Sequence, residues 1–580
     1  MFTLHISNRD YIEWKFVPNT AQPELSPSIT KLFHGDQVDE TGKLMNSPYR
    51  SKEHICGVLL TSEKTYGRAA NGKLLYKCVP DAEHLPIFLV PYEEKNLGFS
   101  KNKSDSYISF QIKEWTEKHP IGSITNTFGQ VDDKEAYIAY QMACNEINES
   151  LKTLNAATLR SLRQNTLGPI PLYCENVAIE DRRTHRIISI DPDGCNDIDD
   201  AIGFRQTNKE SILSIYIANV PMMLEFLNLW TYLTDRIATI YLPAQKIPML
   251  PTSLSENMCS LKEKEDRVAF VLDVYINNGL VQDIKYTSTI IRVEKNYAYQ
   301  NPELIAREDY KNIFQTVKAL NHEHFRYLEN ISNSHEVVEY CMLLMNHECA
   351  KLLAEKKSGI FRSAGKKEAV DPSNGVDPPN GVDPNAVDPN AVDPNAVDPN
   401  GVDSTFIPPE LKHILQNVAG EYCAATNIKP HELIGNGLDC YIHMTSPIRR
   451  VVDIVNMYEL LKDRFKWSAE AKSFSDKWQA NLTTLNRKTK AIRKLQNEIE
   501  LLAAYEKKPE QTYMGMVFHK TEVILKKTPM FKYRAYIPEI KLLTSVLSSK
   551  ELKNYCKVNF SVHLFLDEAK MTKKIRLQLI

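Results

Sequence analysis

Long apolar runs are missing from this chain of 580 residues, and so is any cysteine spacing that would hold a metal or staple a fold. No uninterrupted apolar stretch approaches the roughly 18 residues needed to span a bilayer, so no membrane-spanning helix is expected. The first residues, MFTLHISNRDYIEWKF, have neither a basic start nor an apolar core. That argues against a secretory signal and for an intracellular, cytoplasmic protein. The eleven cysteines are scattered, with no CxxC pair, which leaves zinc fingers and disulfide scaffolds without support. Excess charge is also lacking, at a net −2, and that balance alone says nothing about nucleic acid.

Its distribution says more. From Asn481 to Ile580 there are 20 Lys and Arg against 9 Asp and Glu, a local +11 that leaves −13 for the rest. A basic terminal segment on a balanced chain is the electrostatic footprint of a phosphate-binding module, although a solvated basic surface would look the same. With 43% apolar and 25% charged residues the chain is globular, and at about 150 residues per domain it should hold three or four units.

What is abundant is carboxylate, in one place. RIISIDPDGCNDIDDAIGF (186–204) carries Asp191, Asp193, Asp197, Asp199 and Asp200 directly after a run that reads as a buried strand, Ile187–Ile190. Like charges this close cannot all stay ionised in a partly buried cleft unless a cation or a set of donors holds them. Asp197 and Asp199 share a face in extended chain, whereas Asp191 must return across the Asp193-Gly194 turn to join them. An EF-hand loop is excluded, because counting from Asp191 the glycine falls at position four and position twelve is Ile202. A solvated acidic turn is the plain alternative, but apolar runs on both sides point the cluster inward. A hard cation of the magnesium type is the chemistry these ligands suit, and Cys195 reads as a small filler.

Residues 1 to about 165 show short alternating runs, ICGVLL (55–60), KLLYKCV (73–79) and PIFLVPY (86–92), with YISFQIKEW beyond. They predict one or two small β-barrels, in which Tyr66, Tyr76, Phe88 and Tyr92 are either core or base-stacking residues. Helix is expected over Asp132–Leu159. SILSIYIANV (211–220) reads as a strand, and TIYLPAQKIPMLPTSLSENMCSL (239–261) as a rigid folded-back loop without regular structure. Between Arg362 and Phe406 valines recur at 370, 376, 382, 387, 392, 397 and 402 in a Val-Asp-Pro repeat. Its proline content blocks helix and sheet, and it buries no core. In YIHMTSPIRRVVD (441–453) Pro447 suits a first helical turn capped by Ser446 or Thr445, with N–H groups open to an anion beside Arg449 and Arg450. A capped helix with a surface Arg–Asp453 pair is the other reading. Leucine and isoleucine spacing predicts one long helix over 478–506, followed by strands of a last small barrel.

IDPDGCNDIDDAI resembles the signature of the ribonuclease II (RNB) family of processive 3′-to-5′ exoribonucleases, whose four aspartates match Asp191, Asp197, Asp199 and Asp200. The YLP…IPMLP…CSL run and TSPIRR follow in the family's order, and the similarity extends over roughly Asp181–Ala504. The resemblance implies an α+β multidomain protein: N-terminal OB or cold-shock-like barrels with a connecting helix (1–165), an α/β RNB catalytic domain (166–506) and a C-terminal OB-fold (507–580). The repeat tract, 366–405, is then an insertion, since the family has none there. It implies hydrolysis of single-stranded RNA to nucleoside 5′-monophosphates, with Asp191, Asp197, Asp199 and Asp200 as the metal set for Mg2+, or Mn2+ in its place. Asp199 and Arg449 are the residues closest to the chemical step. Tyr241, Thr445, Ser446, Pro447, Arg449 and Arg450 are the expected RNA contacts, and no small-molecule cofactor, membrane or second subunit is expected. Met222 and Met457 stand where relatives usually have histidine, and Val451 where they have an aromatic. With the barrels so near residue 1, the endonuclease domain of exosome-type relatives is not expected in this sequence. Two other classes remain: an RNA-binding protein of this fold that does not cleave, and a metal-dependent phosphatase or sugar-nucleotide transferase built on the Asp197–Asp199 pair.

Overall fold

The longest buried runs of the sequence become neighbours in one sheet. In the computed structural model, which describes residues 1–18, 25–93, 104–164, 179–207, 210–277, 279–364, 411, 420–525 and 528–580, seven strands lie side by side. Their order is Glu180–Asp181, Leu280–Arg292, Asp266–Asn277, Ser211–Ala218, Asp200–Gln206, Ile187–Asp191 and Lys295–Ala298. Pairing is antiparallel except at the two edges, where Glu180–Asp181 and Lys295–Ala298 run parallel to their neighbours. Ser211–Ala218 is buried at seven consecutive positions, which is why it reads as an unbroken apolar run and not as an alternating one. The helices Glu308–Glu323 and Ser334–Lys356 join the same core through Ile313, Val317, Leu344 and Met345. This sheet and its helices belong to one of two compact units, that between Glu149 and Ile492.

The other unit contains Met1–Asn148 and Arg493–Ile580. A four-stranded sheet at the N-terminus closes over Phe2, Leu4, Phe16 and Val38. The strands Ile55–Leu59, Leu74–Pro80, Phe88–Tyr92, Ser106–Glu114 and Ile121–Gln130 form a closed barrel. So among the described residues the N-terminal region holds one barrel and one open sheet. Tyr76 and Phe88 are in the barrel core, at 2% and 0% exposure, while Tyr66 is half-buried under the ammonium groups of Lys64 and Lys77. Near the C-terminus a five-stranded antiparallel sheet, from Thr512–Leu525 to Thr572–Leu579, curls until its edge strands touch. Lys573 pairs with Asp132 at 2.8 Å and Lys134 with Glu506 at 2.6 Å within this unit.

Local structure departs from the sequence expectation in four places. The helix expected over Asp132–Leu159 is two, Lys134–Cys144 and Lys152–Gln164, because Glu146 adopts φ 56° and Ser150 caps the second through its Oγ. The long C-terminal helix begins at Leu482, where Asn481 ends a separate helix, Ala469–Ala480. The stretch 239–261 is partly regular, with a hairpin of Ile240–Leu242 and Gln245–Ile247 and a π-helical turn at Leu254–Met258. Pro251 bends the chain between them, and its carbonyl accepts from the N–H groups of Leu254 and Ser255, both at 2.8 Å. The fourth departure, at Pro447, belongs to the site below. The Val-Asp-Pro tract lies outside the described residues.

Candidate active site

Asp191 is the last residue of one sheet strand and Asp200 the first of the next. These strands pair antiparallel through Ile187 with Gly203 and Ile188 with Ile202, so residues 192–199 form the loop that joins them. Gly194 turns the loop at φ 75°, a conformation that disfavours other residues. At Gly203 a side chain would meet the Arg186 carbonyl at 3.1 Å, so close strand approach needs glycine there. The loop is clamped by the CSL segment. Ile198 N donates to Ser260 Oγ at 3.1 Å, Ser260 Oγ donates to Asn196 O at 2.8 Å, and Leu261 N donates to Ile198 O at 3.0 Å.

Residues Thr445–Asp453 form the facing wall. The sequence places Pro447 in the first turn of a helix, but the helix starts at Val451 with Arg450 at its N-cap. Pro447 lies in a separate buried turn, in which Arg449 N and Arg450 N donate to Ser446 O at 3.1 and 3.0 Å. The expectation of N–H groups open to an anion fails for a clear reason: each has an internal acceptor. Ser446 N donates to Asp453 Oδ1 at 2.7 Å, Ile448 N to Asp199 Oδ1 at 3.0 Å and Val451 N to Ile237 O at 2.9 Å. Asp453 is fully buried and takes Arg450 Nη2 at 2.8 Å, so this pair is internal and not a surface salt bridge.

The loop and the turn meet at Asp199, which is 4% exposed. Its Oδ2 accepts from Arg449 Nε at 3.2 Å, and Arg449 Nη2 reaches Ser446 Oγ at 3.0 Å. Asp197 accepts from Lys246 Nζ on Oδ1 at 3.2 Å and from the Tyr241 hydroxyl on Oδ2 at 3.3 Å. Asp191 and Asp200 are poorer in partners: the Oδ2 atom of each is buried without a hydrogen bond among the described residues. Burial raises Asp199 from 3.8 to about 7, against the pull of Arg449. Burial also raises Asp191 to about 6, with the Asp197 charge adding to it. Asp200 is pushed well above the usual carboxylate range by burial and by Asp191 and Asp199. These are carboxylates short of positive charge.

A cavity of about 630 Å³ opens over the aspartates. Asp191, Asp193, Asp197, Asp199, Asp200, Tyr241, Thr445, Ser446, Arg449 and Arg450 all line it, and Pro447 does not. Tyr299, His335, Glu339, Asn346 and His443 line it too, and sequence reasoning singled out none of them. His335, Glu339 and Asn346 fall at helical spacing on Ser334–Lys356, polar positions set among the apolar residues Val337, Val338 and Met342. Those positions were the available signal. Asn346 bridges the walls of the cavity, donating to the Tyr441 hydroxyl at 3.0 Å and accepting from Met444 N at 2.9 Å.

The donor set, hard oxygens with two buried orphan atoms, fits a magnesium-type ion. Among the described residues no group of three or more acidic, His or Cys side chains is already closed to ligand distance. The RNB domain model matches residues 179–319 and 304–463, and the chain belongs to the RNB domain family. It is 27% identical over 330 residues to ribonuclease R of Helicobacter pylori (strain ATCC 700392 / 26695), covering 50% of this chain and 49% of that protein. To the probable exosome complex exonuclease RRP44 of Caenorhabditis elegans it is 26% identical over 279 residues, 46% of this chain and 27% of the relative. The chain thus spans between a quarter and a half of the length of these curated relatives. The apo form of Mycoplasma genitalium RNase R shares the fold over 100% of both chains, with a TM-score of 0.64 and 16% identity. Yeast Ssd1, described as a pseudonuclease, matches over 93% of this chain and 72% of its own, with a TM-score of 0.56 and 13% identity. No helix among the described residues is long and apolar enough to cross a membrane.

Proposed function

We propose that the protein is a hydrolytic 3′-to-5′ exoribonuclease that shortens single-stranded RNA processively to nucleoside 5′-monophosphates, with Mg2+ as cofactor and Mn2+ able to replace it. The observation that carries this reading is the pair of buried, unpartnered carboxylate oxygens of Asp191 and Asp200, in one cavity of about 630 Å³ with the Asp199–Arg449 pair. A metal bound by the aspartates would make a water nucleophilic and neutralise the scissile phosphate.

The protein's own groups do the rest. Asp199 holds Arg449 through Nε and so aims the guanidinium over the acidic floor, and Arg449 Nη1 has no protein partner among the described residues. A fixed cation there stabilises charge that builds on the phosphate in the transition state. Ser446 Oγ steadies the same fork from the other side. Arg450 is committed to Asp453 and acts as support for the turn. Tyr241, 43% exposed on its hairpin, stacks on a terminal base in this reading. We read 1–165 and 507–580 as the parts that hold the strand by backbone charge and stacking, and 166–506 as the catalytic domain, in a monomeric cytoplasmic protein.

The test is a magnesium-dependent time course on 5′-labelled single-stranded RNA and its DNA counterpart, with wild type and Asp199→Asn. Stepwise shortening of RNA alone, abolished in Asp199→Asn, supports the reading. Binding without shortening would favour an RNA-binding protein that does not cleave, the alternative to which the fold likeness with yeast Ssd1 points.

A further inference from the structure

We infer that Lys246 takes the place of a second divalent cation, so that the carboxylate centre accepts about one metal ion, at Asp191 and Asp200, where two-metal nuclease centres hold a pair. The inference rests on the proposed reading of the cluster as a metal-dependent nuclease site, and it concerns how that site is divided.

The four aspartates are not equivalent. Asp199 has both oxygens engaged, by Ile448 N and Arg449 Nε. Asp197 has both engaged as well, Oδ1 by the Lys246 ammonium and Oδ2 by the Tyr241 hydroxyl. Of these four, Asp191 and Asp200 alone keep a buried carboxylate oxygen with no partner among the described residues.

The lysine is held by construction. Tyr241 and Lys246 are directly opposed in the hairpin of Ile240–Leu242 and Gln245–Ile247, so their side chains leave the same face, and both end on Asp197. Glu256, on the π-helical turn, fixes the ammonium from behind at 2.7 Å. With the side chain 29% exposed and bonded to two carboxylates, Lys246 is a seated charge and not a mobile surface lysine. An ammonium 3.2 Å from Asp197 Oδ1 already supplies the positive charge that a second divalent ion would bring there, and it repels such an ion. Lysine supplies a compact positive charge with directed donors, but it does not lower the pKa of a bound water as a metal does. Lys246 is therefore a positioning residue: it neutralises Asp197 and shapes the centre around a single ion.

The experiment counts bound Mn2+ on the full chain by equilibrium dialysis with electron paramagnetic resonance of the free ion. Thermal melting and RNA binding are followed in parallel. Wild type should bind about one ion per chain, Lys246→Met about two, and Lys246→Arg about one, since the arginine keeps the charge. Lys246→Gln, polar but uncharged, should also bind about two ions, which guards against a packing defect in Lys246→Met. Two ions on wild type, or one ion on every folded variant, overturns the role of Lys246 and leaves the nuclease reading intact. No Mn2+ on any variant that still binds RNA overturns the metal-dependent reading itself, and with it this inference.

Discussion

The central sheet buries carboxylates in two places that are built in opposite ways. At Asp273, 2% exposed, every oxygen has a donor: Arg182 Nη1 and Ser214 Oγ on Oδ1 at 2.9 and 2.6 Å, and Arg182 Nη2 on Oδ2 at 2.7 Å. Three rungs along the same strand pairing, where Asp200 lies opposite Ile217 and Ile217 opposite Phe270, the acidic loop gathers more carboxylates than donors. A satisfied buried carboxylate is architecture, whereas an unsatisfied cluster invites a cation from outside. The difference gives each place its own response to mutation, metal and pH.

The largest effect belongs to the deficient cluster. Asp199→Asn keeps the shape and removes the charge that aims Arg449, so kcat on single-stranded RNA should fall about a thousandfold while the melting temperature stays near that of wild type. At the satisfied place the pattern reverses. Asp273→Ala strands the buried Arg182 guanidinium and should cost about 3 kcal/mol of stability in a urea titration, with activity preserved in whatever fraction remains folded. If Asp273→Ala left stability unchanged, or Asp199→Asn left activity unchanged, the distinction between the two places would be lost.

Metal and pH act on the first place. The pKa values of Asp191 and Asp199 rise from 3.8 in the unfolded chain to about 6 and about 7 in the folded protein. Between those values the native state binds more protons than the unfolded one, so metal-free stability from these groups is present near pH 4 and is lost as pH rises through 6 and 7. Mg2+ should reverse the slope, because it binds the ionised form. At about a hundred times its dissociation constant it should add about 2.7 kcal/mol, and the gain should grow with pH. A melting series with and without Mg2+ from pH 5 to pH 8 checks the sign. Asp200→Asn sharpens it further: removing an unpaired buried charge should stabilise the metal-free protein by about 1 kcal/mol at pH 8, at the expense of activity.

How much of this was legible in the sequence follows the same division. The acidic loop announced itself because five aspartates in ten residues have no structural excuse, and TSPIRR because its motif is local. The strands Ile187–Asp191 and Ser211–Ala218 were legible because burial on both faces leaves an unbroken apolar run. The Arg182–Asp273 pair was not, since its partners are 91 residues apart and each alone is an ordinary charge in a strand. Lys246 was hidden for a similar reason, because its meaning depends on a hairpin that the prolines of 239–261 disguised as loop. Pro447 misled because the proline rule for a first helical turn is a local preference, and here Asp453, Asp199 and the Ile237 carbonyl accept from the N–H groups of Ser446, Ile448 and Val451 in turn and draw the turn away from the helix.

Asp197 supplies the smallest effect and the finest test, because it sits in the acidic loop yet resembles Asp273 in having its oxygens engaged. Its hydroxyl partner is weak, 3.3 Å from Oδ2, and Lys246 stays in place when that hydroxyl goes. Tyr241→Phe should therefore raise KM for single-stranded RNA only about twofold and leave kcat alone, consistent with a hydrogen bond of about 0.5 kcal/mol. Tyr241→Ala removes the ring as well, and if the ring stacks on a base the KM penalty should grow to an equivalent of about 1–3 kcal/mol. Equal, large losses of kcat in both variants would mean that Asp197 depends on the hydroxyl as Asp199 depends on Arg449, and that three of the four aspartates work as one group around the metal.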